Sequence, residues 1–227
     1  MSAPLLALLH LCDSLFPLGG FAHSDGLESA VSAGLVGNGD DLRGWLEVCL
    51  EEGIGRCDGP AVVIAWSAFH DRAWDSLVAL DEELTAMRPS STARMASRSM
   101  GCCLLTTWHA LHPDARLLHA LTLVSMRTLG PALPVAFAGA CACAGVEQHH
   151  AVEAFAYTRL AATISSAMRL IAIGQNEAHL MLSHALTRVP ATVEGIMARQ
   201  AEPESFTPAF DIAQMTHQYV RSRLFRS

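Results

Sequence analysis

Three side chains able to ligate a metal or move a proton, His23, Asp25 and Glu28, fall close together near the start of the chain. An imidazole beside two carboxylates is the material of an acid–base or metal-dependent hydrolytic site. The same spacing has a structural reading. Asp25 and Glu28 stand three apart, as in a capping box, and would open a helix with Leu27, Ala30 and Val31 on its apolar side. Gly19-Gly20 just before them permits a sharp turn. The spacing matches a cap and no established ligand motif, so a capped helix start beside a packed histidine is the reading taken forward. No Gly-x-Ser-x-Gly elbow and no His-Glu-x-x-His pair occurs in the chain.

The other reactive side chains point the same way. Seven cysteines include the close pairs Cys102-Cys103 and Cys141-x-Cys143, and the histidines include His109/His112 and His149-His150. Paired zinc knuckles at set spacing are missing, so core cysteines and surface histidines are expected, with no resident metal or cofactor. An odd number of cysteines in a chain of 227 residues argues against a disulfide framework. All 15 cations are arginine. Without lysine there is no Schiff-base chemistry and no Walker A loop. A net charge of -7 argues against nucleic-acid binding through phosphate neutralisation. No catalytic residue is assigned, and the chain is expected not to be an enzyme.

The elements that would carry these residues are helical. Leu42, Trp45, Leu46, Cys49 and Leu50 repeat with helical period, with Asp40 or Asp41 as N-cap. A second helix is expected to open after Asp58, with Pro60 in its first turn. Leu77, Leu80, Leu84 and Met87 form a stripe that Pro89 ends. Ser91 starts a longer helix running to near Pro113, and Asp114 caps the next. The uncharged stretch 128–146 borders on a membrane span in length, but its prolines, glycines and alanines read as a buried, tightly packed helix. Helices over about 149–173 and 175–188 follow, separated by Gly174, and a short one follows Pro190. No stretch alternates with period two. The expected fold is all-α, a single-domain bundle of roughly ten helices over residues 1–201, with a C-terminal docking tail over 202–227.

In that tail Pro203 and Pro208 bar a continuous helix, which suggests local flexibility. Yet Phe206, Phe210, Tyr219, Leu224 and Phe225 lie among Arg221, Arg223 and Arg226. Aromatic residues and arginine are what interface hot spots favour, so a docked tail fits better, on the body or on a partner. Hydrophobic residues make up 51% of the chain and charged ones 16%. That leaves apolar surface for a partner or a second copy to cover. The N-terminal run Leu5 to Cys12 lacks the basic flank of a signal peptide, and a cytoplasmic location is expected.

Four segments in this order resemble the UreF family of urease accessory proteins. They are Pro17-Leu18-Gly19-Gly20-Phe21 to Gly26-Leu27-Glu28; Arg94 through Leu105; Arg169 to Leu182; and Asp211-Ile212-Ala213 to Ser222-Arg223-Leu224-Phe225-Arg226-Ser227. The resemblance implies an all-α homodimer that binds UreD (UreH in some organisms) and the GTPase UreG. That complex docks on apo-urease and directs nickel into it, the nickel passing through rather than staying bound. It implies that the tail, through Phe206, Phe210, Tyr219, Arg223, Leu224, Phe225 and Arg226, meets UreD/UreH. It leaves His23, Glu28, Arg94, Arg98, Arg169 and Gln175 to a UreG or dimer face. It implies no membrane and no nucleic-acid partner. Two alternatives remain at this stage. One is a GTPase-activating regulator of UreG using Arg223 or Arg226 as an arginine finger. The other is a small metal-dependent hydrolase built on His23, Asp25 and Glu28.

Overall fold

The computed structural model describes residues 4–226. Its α-helices are α1 (Pro4–Cys12), α2 (Leu27–Ser32), α3 (Gly39–Val48), α4 (Gly59–Asp71), α5 (Trp74–Ala86), α6 (Ser91–Leu111), α7 (Ala115–Ser125), α8 (Leu133–Ala144), α9 (Gln148–Leu170), α10 (Gln175–Leu186), α11 (Val189–Arg199) and α12 (Pro208–Thr216). Short 3-10 turns span Gly20–Ala22 and His217–Tyr219. Among the described residues there is no strand, as the sequence predicts, and no helix is long and apolar enough to cross a membrane.

One local expectation is corrected and another gains a feature the sequence did not show. Neither Asp40 nor Asp41 caps α3. Asn38 does, its side-chain oxygen accepting the N–H groups of Asp40 at 2.8 Å and Asp41 at 3.1 Å, while Asp41 accepts Gly37 N–H at 2.9 Å. The helix expected after Asp58 does start at Gly59 with Pro60 in its first turn, but the chain is already wound before it. The segment Cys49–Asp58 is a widened π-helix that joins α3 to α4 without a break. Pro60 is tolerated because it stands near the start of the narrower α4 path.

The stretch 128–146 does form a buried helix, though only Leu133–Ala144 of it is helical. Every residue from Pro134 to Ala142 of α8 is buried, packed among α4, α6 and α9. Small side chains let these neighbours approach closely. A Cβ at Gly139 would stand 2.5 Å from the Phe69 ring, and one at Gly101 of α6 would stand 2.1 Å from the Pro131 carbonyl oxygen. The free N–H groups at the start of α8 have no local cap, so other helices supply one. Buried Asp81 of α5 accepts Ala132 N–H at 2.7 Å and Gly130 N–H at 3.2 Å, and Ser97 Oγ of α6 accepts Leu133 N–H at 2.9 Å. Burial raises the Asp81 pKa; the two backbone donors work against that rise.

Gly101→Ala should cost about 1–3 kcal/mol or more by overpacking against the Pro131 backbone, which has no flexible end to yield. Gly44→Ala, with open space around it, should be neutral or stabilising. Urea unfolding of both variants measures the difference.

Candidate functional site

The N-terminal cluster and the C-terminal tail form one site. Asp25 and Gly26 both take positive φ, 51° and 87°, and this turn feeds α2. A Cβ at Gly26 would stand 3.0 Å from the Gln214 backbone nitrogen, so glycine here admits the tail helix α12 against α2. The expected Asp25–Glu28 capping box is not formed. The cap position is Gly26, and Glu28 N–H points to Ser24 Oγ at 3.4 Å. Both carboxylates are drawn off by stronger partners. Asp25 forms an ion pair with Arg159 of α9, and Glu28 turns to the tail.

Glu28 is 4% exposed. His217 Nε2 lies 2.7 Å from its Oε2, Leu224 N–H donates to Oε1 at 2.5 Å, and Phe225 N–H donates to Oε2 at 3.2 Å. A carboxylate in this position only accepts, so Nε2 carries the proton. One step along, Arg226 N–H donates to Ala22 O at 2.7 Å. Arg169 of α9 covers the cluster: its guanidinium donates to Phe21 O at 3.0 Å and lies 4.3 Å above the Phe225 ring. Farther up the tail, Thr216 bonds Ser29 at 2.8 Å, and Ser90 Oγ, the α6 N-cap, donates to Gln214 O at 3.3 Å. Phe210 stacks on Trp45 with centroids 4.1 Å apart. The tail is not one continuous helix, as expected, but Pro208 opens α12 and the tail docks on its own body.

Beneath α12 lies a cavity of about 110 Å³, reached by the ion pairs Asp25–Arg159 and Asp58–Arg88, the latter at 2.5 Å. Burial tends to lower the Arg159 pKa, but Asp25 and then Asp58 more than offset it, so the group is firmly cationic. Cys49 and Cys57 face the same cavity. Burial pushes their thiols up to about 11 and about 12, so neither supplies a thiolate at neutral pH. Burial likewise lowers His23, with Asp25 opposing and Arg226 and Arg159 adding to the fall.

The residues singled out in the sequence divide into groups. Glu28, Arg169, Leu224, Phe225 and Arg226 converge, with His23 in the electrostatic reach of Arg226. Phe225 is buried, whereas Phe206, Tyr219 and Leu224 expose most of their side chains and Arg223 and Arg226 are exposed. Arg94 and Arg98 serve the α5–α6 corner. Arg94 donates to the carbonyls of Arg88 at 2.6 Å and Pro89 at 2.9 Å, and Arg98 donates to Thr85 at 3.2 Å. Gln175 is exposed as the first residue of α10. The hydrolase arrangement does not assemble, since Asp25 and Glu28 face different partners. Sequence reasoning missed His217. Its signal was the helical spacing Phe210, Ala213, His217, which puts it on the buried stripe of the tail.

Glu28→Gln keeps the shape but turns one acceptor oxygen into a donor facing a backbone N–H. It should destabilise the fold by about 1–3 kcal/mol and speed amide exchange at Leu224 and Phe225 well ahead of α8. Hydrogen-exchange mass spectrometry with urea unfolding checks both. Unchanged exchange in the tail would remove Glu28 as its anchor.

Residues 36–186 match the UreF family model. The urease accessory protein UreF of Delftia acidovorans is 32% identical over 98% of this chain and 97% of its own length. Those of Methylibium petroleiphilum and of an Azoarcus species are also 32% identical, over 100% and 99% of this chain and 95% and 96% of theirs. Both halves of the clamp, Glu28 and the tail, fall outside the matched segment but inside these full-length similarities. An all-helical bundle whose two ends meet at one buried carboxylate, alike over its whole length to these proteins, belongs to the UreF family of urease accessory proteins.

Proposed function

We propose that this chain is a scaffold without chemistry of its own. It joins UreD/UreH to the GTPase UreG and holds them on apo-urease while nickel, as cargo, is inserted. The observation that carries this reading is the clamped tail. Glu28 and Ala22 hold the backbone of residues 224–226, and Phe225 is sunk in the body. Tyr219, Arg223, Leu224 and Arg226 are thereby presented to solvent on an ordered backbone. A surface held in shape before binding loses little entropy on association, and aromatic and arginine side chains supply contact energy. The large solvent-facing apolar residues would be covered in the assembly, in the cytoplasm, where the urease apoprotein is matured.

A surface feature supports a homodimer. A groove of about 940 Å³ runs between α1 and α9, floored by Ala161, Ala162 and Ser165 and walled by Leu9 and Tyr157. Leu5, Leu6 and Leu9 of α1 stand exposed beside it. In the proposed two-fold dimer the leucine ridge of each copy would seat on the small-residue floor of the other.

Phe225→Ala with Arg226→Ala should abolish co-purification with UreD/UreH while the monomer fold, read by circular dichroism, survives. Undiminished co-purification would dismiss the tail as the contact. Ala162→Arg should halve the mass seen by light scattering at micromolar concentration, and a persistent dimer would move the two-fold interface elsewhere.

A further inference from the structure

A third cluster belongs neither to the clamp nor to the groove floor. Glu147, His149 and His150 open α9, and their ligating atoms all lie within 4.8 Å of one another. The Glu147 carboxylate is at the N-cap position but caps no helix N–H. Instead its Oε2 stands 3.6 Å from His149 Nδ1 and 3.9 Å from His150 Nδ1, beside two rings whose centroids are 3.8 Å apart. Bonds of about 2.1 Å to a tetrahedral ion place neighbouring donors about 3.4 Å apart. The two Glu147–imidazole distances are within about half an ångström of that spacing, and exposed side chains are free to change rotamer to close the third.

The backbone under the cluster is braced from α4. Trp66 Nε1 donates to Val146 O at 2.9 Å. Gln148 Nε2 donates to Val63 O and to Ser67 Oγ, both at 2.9 Å. The residues flanking Glu147 are thus pinned, and the three donors rest on a rigid base. All three side chains are solvent-facing, which leaves room for water or a partner's ligand to complete the shell. The positive end of the α9 dipole opposes a cation here, and the Glu147 charge offsets it.

We infer that Glu147, His149 and His150 form an open three-donor site for a borderline divalent cation, of the class that takes imidazole with one carboxylate, such as Ni2+ or Zn2+. The site is independent of the scaffold reading and needs no partner protein. The alternative is a plain ion pair between Glu147 and protonated imidazoles, which binds no metal.

Isothermal titration of the purified full-length chain with nickel sulfate and, separately, zinc sulfate tests it. The wild type should bind one ion more tightly than any other. His149→Ala with His150→Ala should abolish that event, and Glu147→Gln, which removes the one anionic donor, should weaken it at least about tenfold, no less than the loss of a supporting group does. His179→Ala, an exposed histidine of α10, should leave it unchanged. Circular dichroism should show all variants folded, since the three side chains are exposed. Equal affinity in the double-histidine variant, or no binding of either ion by the wild type, overturns the site.

Discussion

A carboxylate almost without solvent must be met by donors, and Glu28 is met by three, all from the last stretch of the chain. Burying that charge unpaired would cost several kcal/mol. The tail is therefore not an accessory to the bundle but the condition under which α2 can pack as it does. Gly26 and the positive-φ turn at Asp25 follow from the same demand, because α12 needs the space that a side chain at Gly26 would fill.

The clamp also divides the tail into inward and outward residues. Phe225 and His217 are spent on the body, and Phe210 is committed to Trp45. Tyr219, Arg223 and Leu224 remain outside. This division decides which groups of the tail are open to solvent. It also places Arg169, assigned from the resemblance to a UreG or dimer face, over Phe225 as a lid on the anchor.

Rigidity at the site draws on the rest of the bundle. Arg159 of α9 answers Asp25, and Ser90 at the start of α6 answers the tail carbonyl of Gln214. These two helices are themselves held against α8, whose small residues allow close contact and whose N-terminus is capped from α5 and α6. The buried cysteines add packing and no reactivity, their thiols being kept protonated by burial.

The helical class, most element positions and the buried character of 128–146 could be read from period, caps and composition, because these depend on neighbours within a few turns. The stripe Leu77, Leu80, Leu84 and the cap at Asp114 are of this kind. So is the absence of lysine, which closes off whole classes of chemistry. What Asp25 and Glu28 do could not be read that way. Their spacing describes a capping box, and locally that is a sound solution. It lost to Arg159 and to His217, more than a hundred residues away in sequence, since an ion pair or a buried triple acceptor outweighs a solvent-exposed cap. The continuity of α3 through the π segment into α4 was hidden for a similar reason, as Pro60 signals a start only when the preceding turns are not already wound. The ends of the chain were marked by their residue types, but only the tertiary fold decided that they meet, because the partner of a buried charge is chosen by proximity in space.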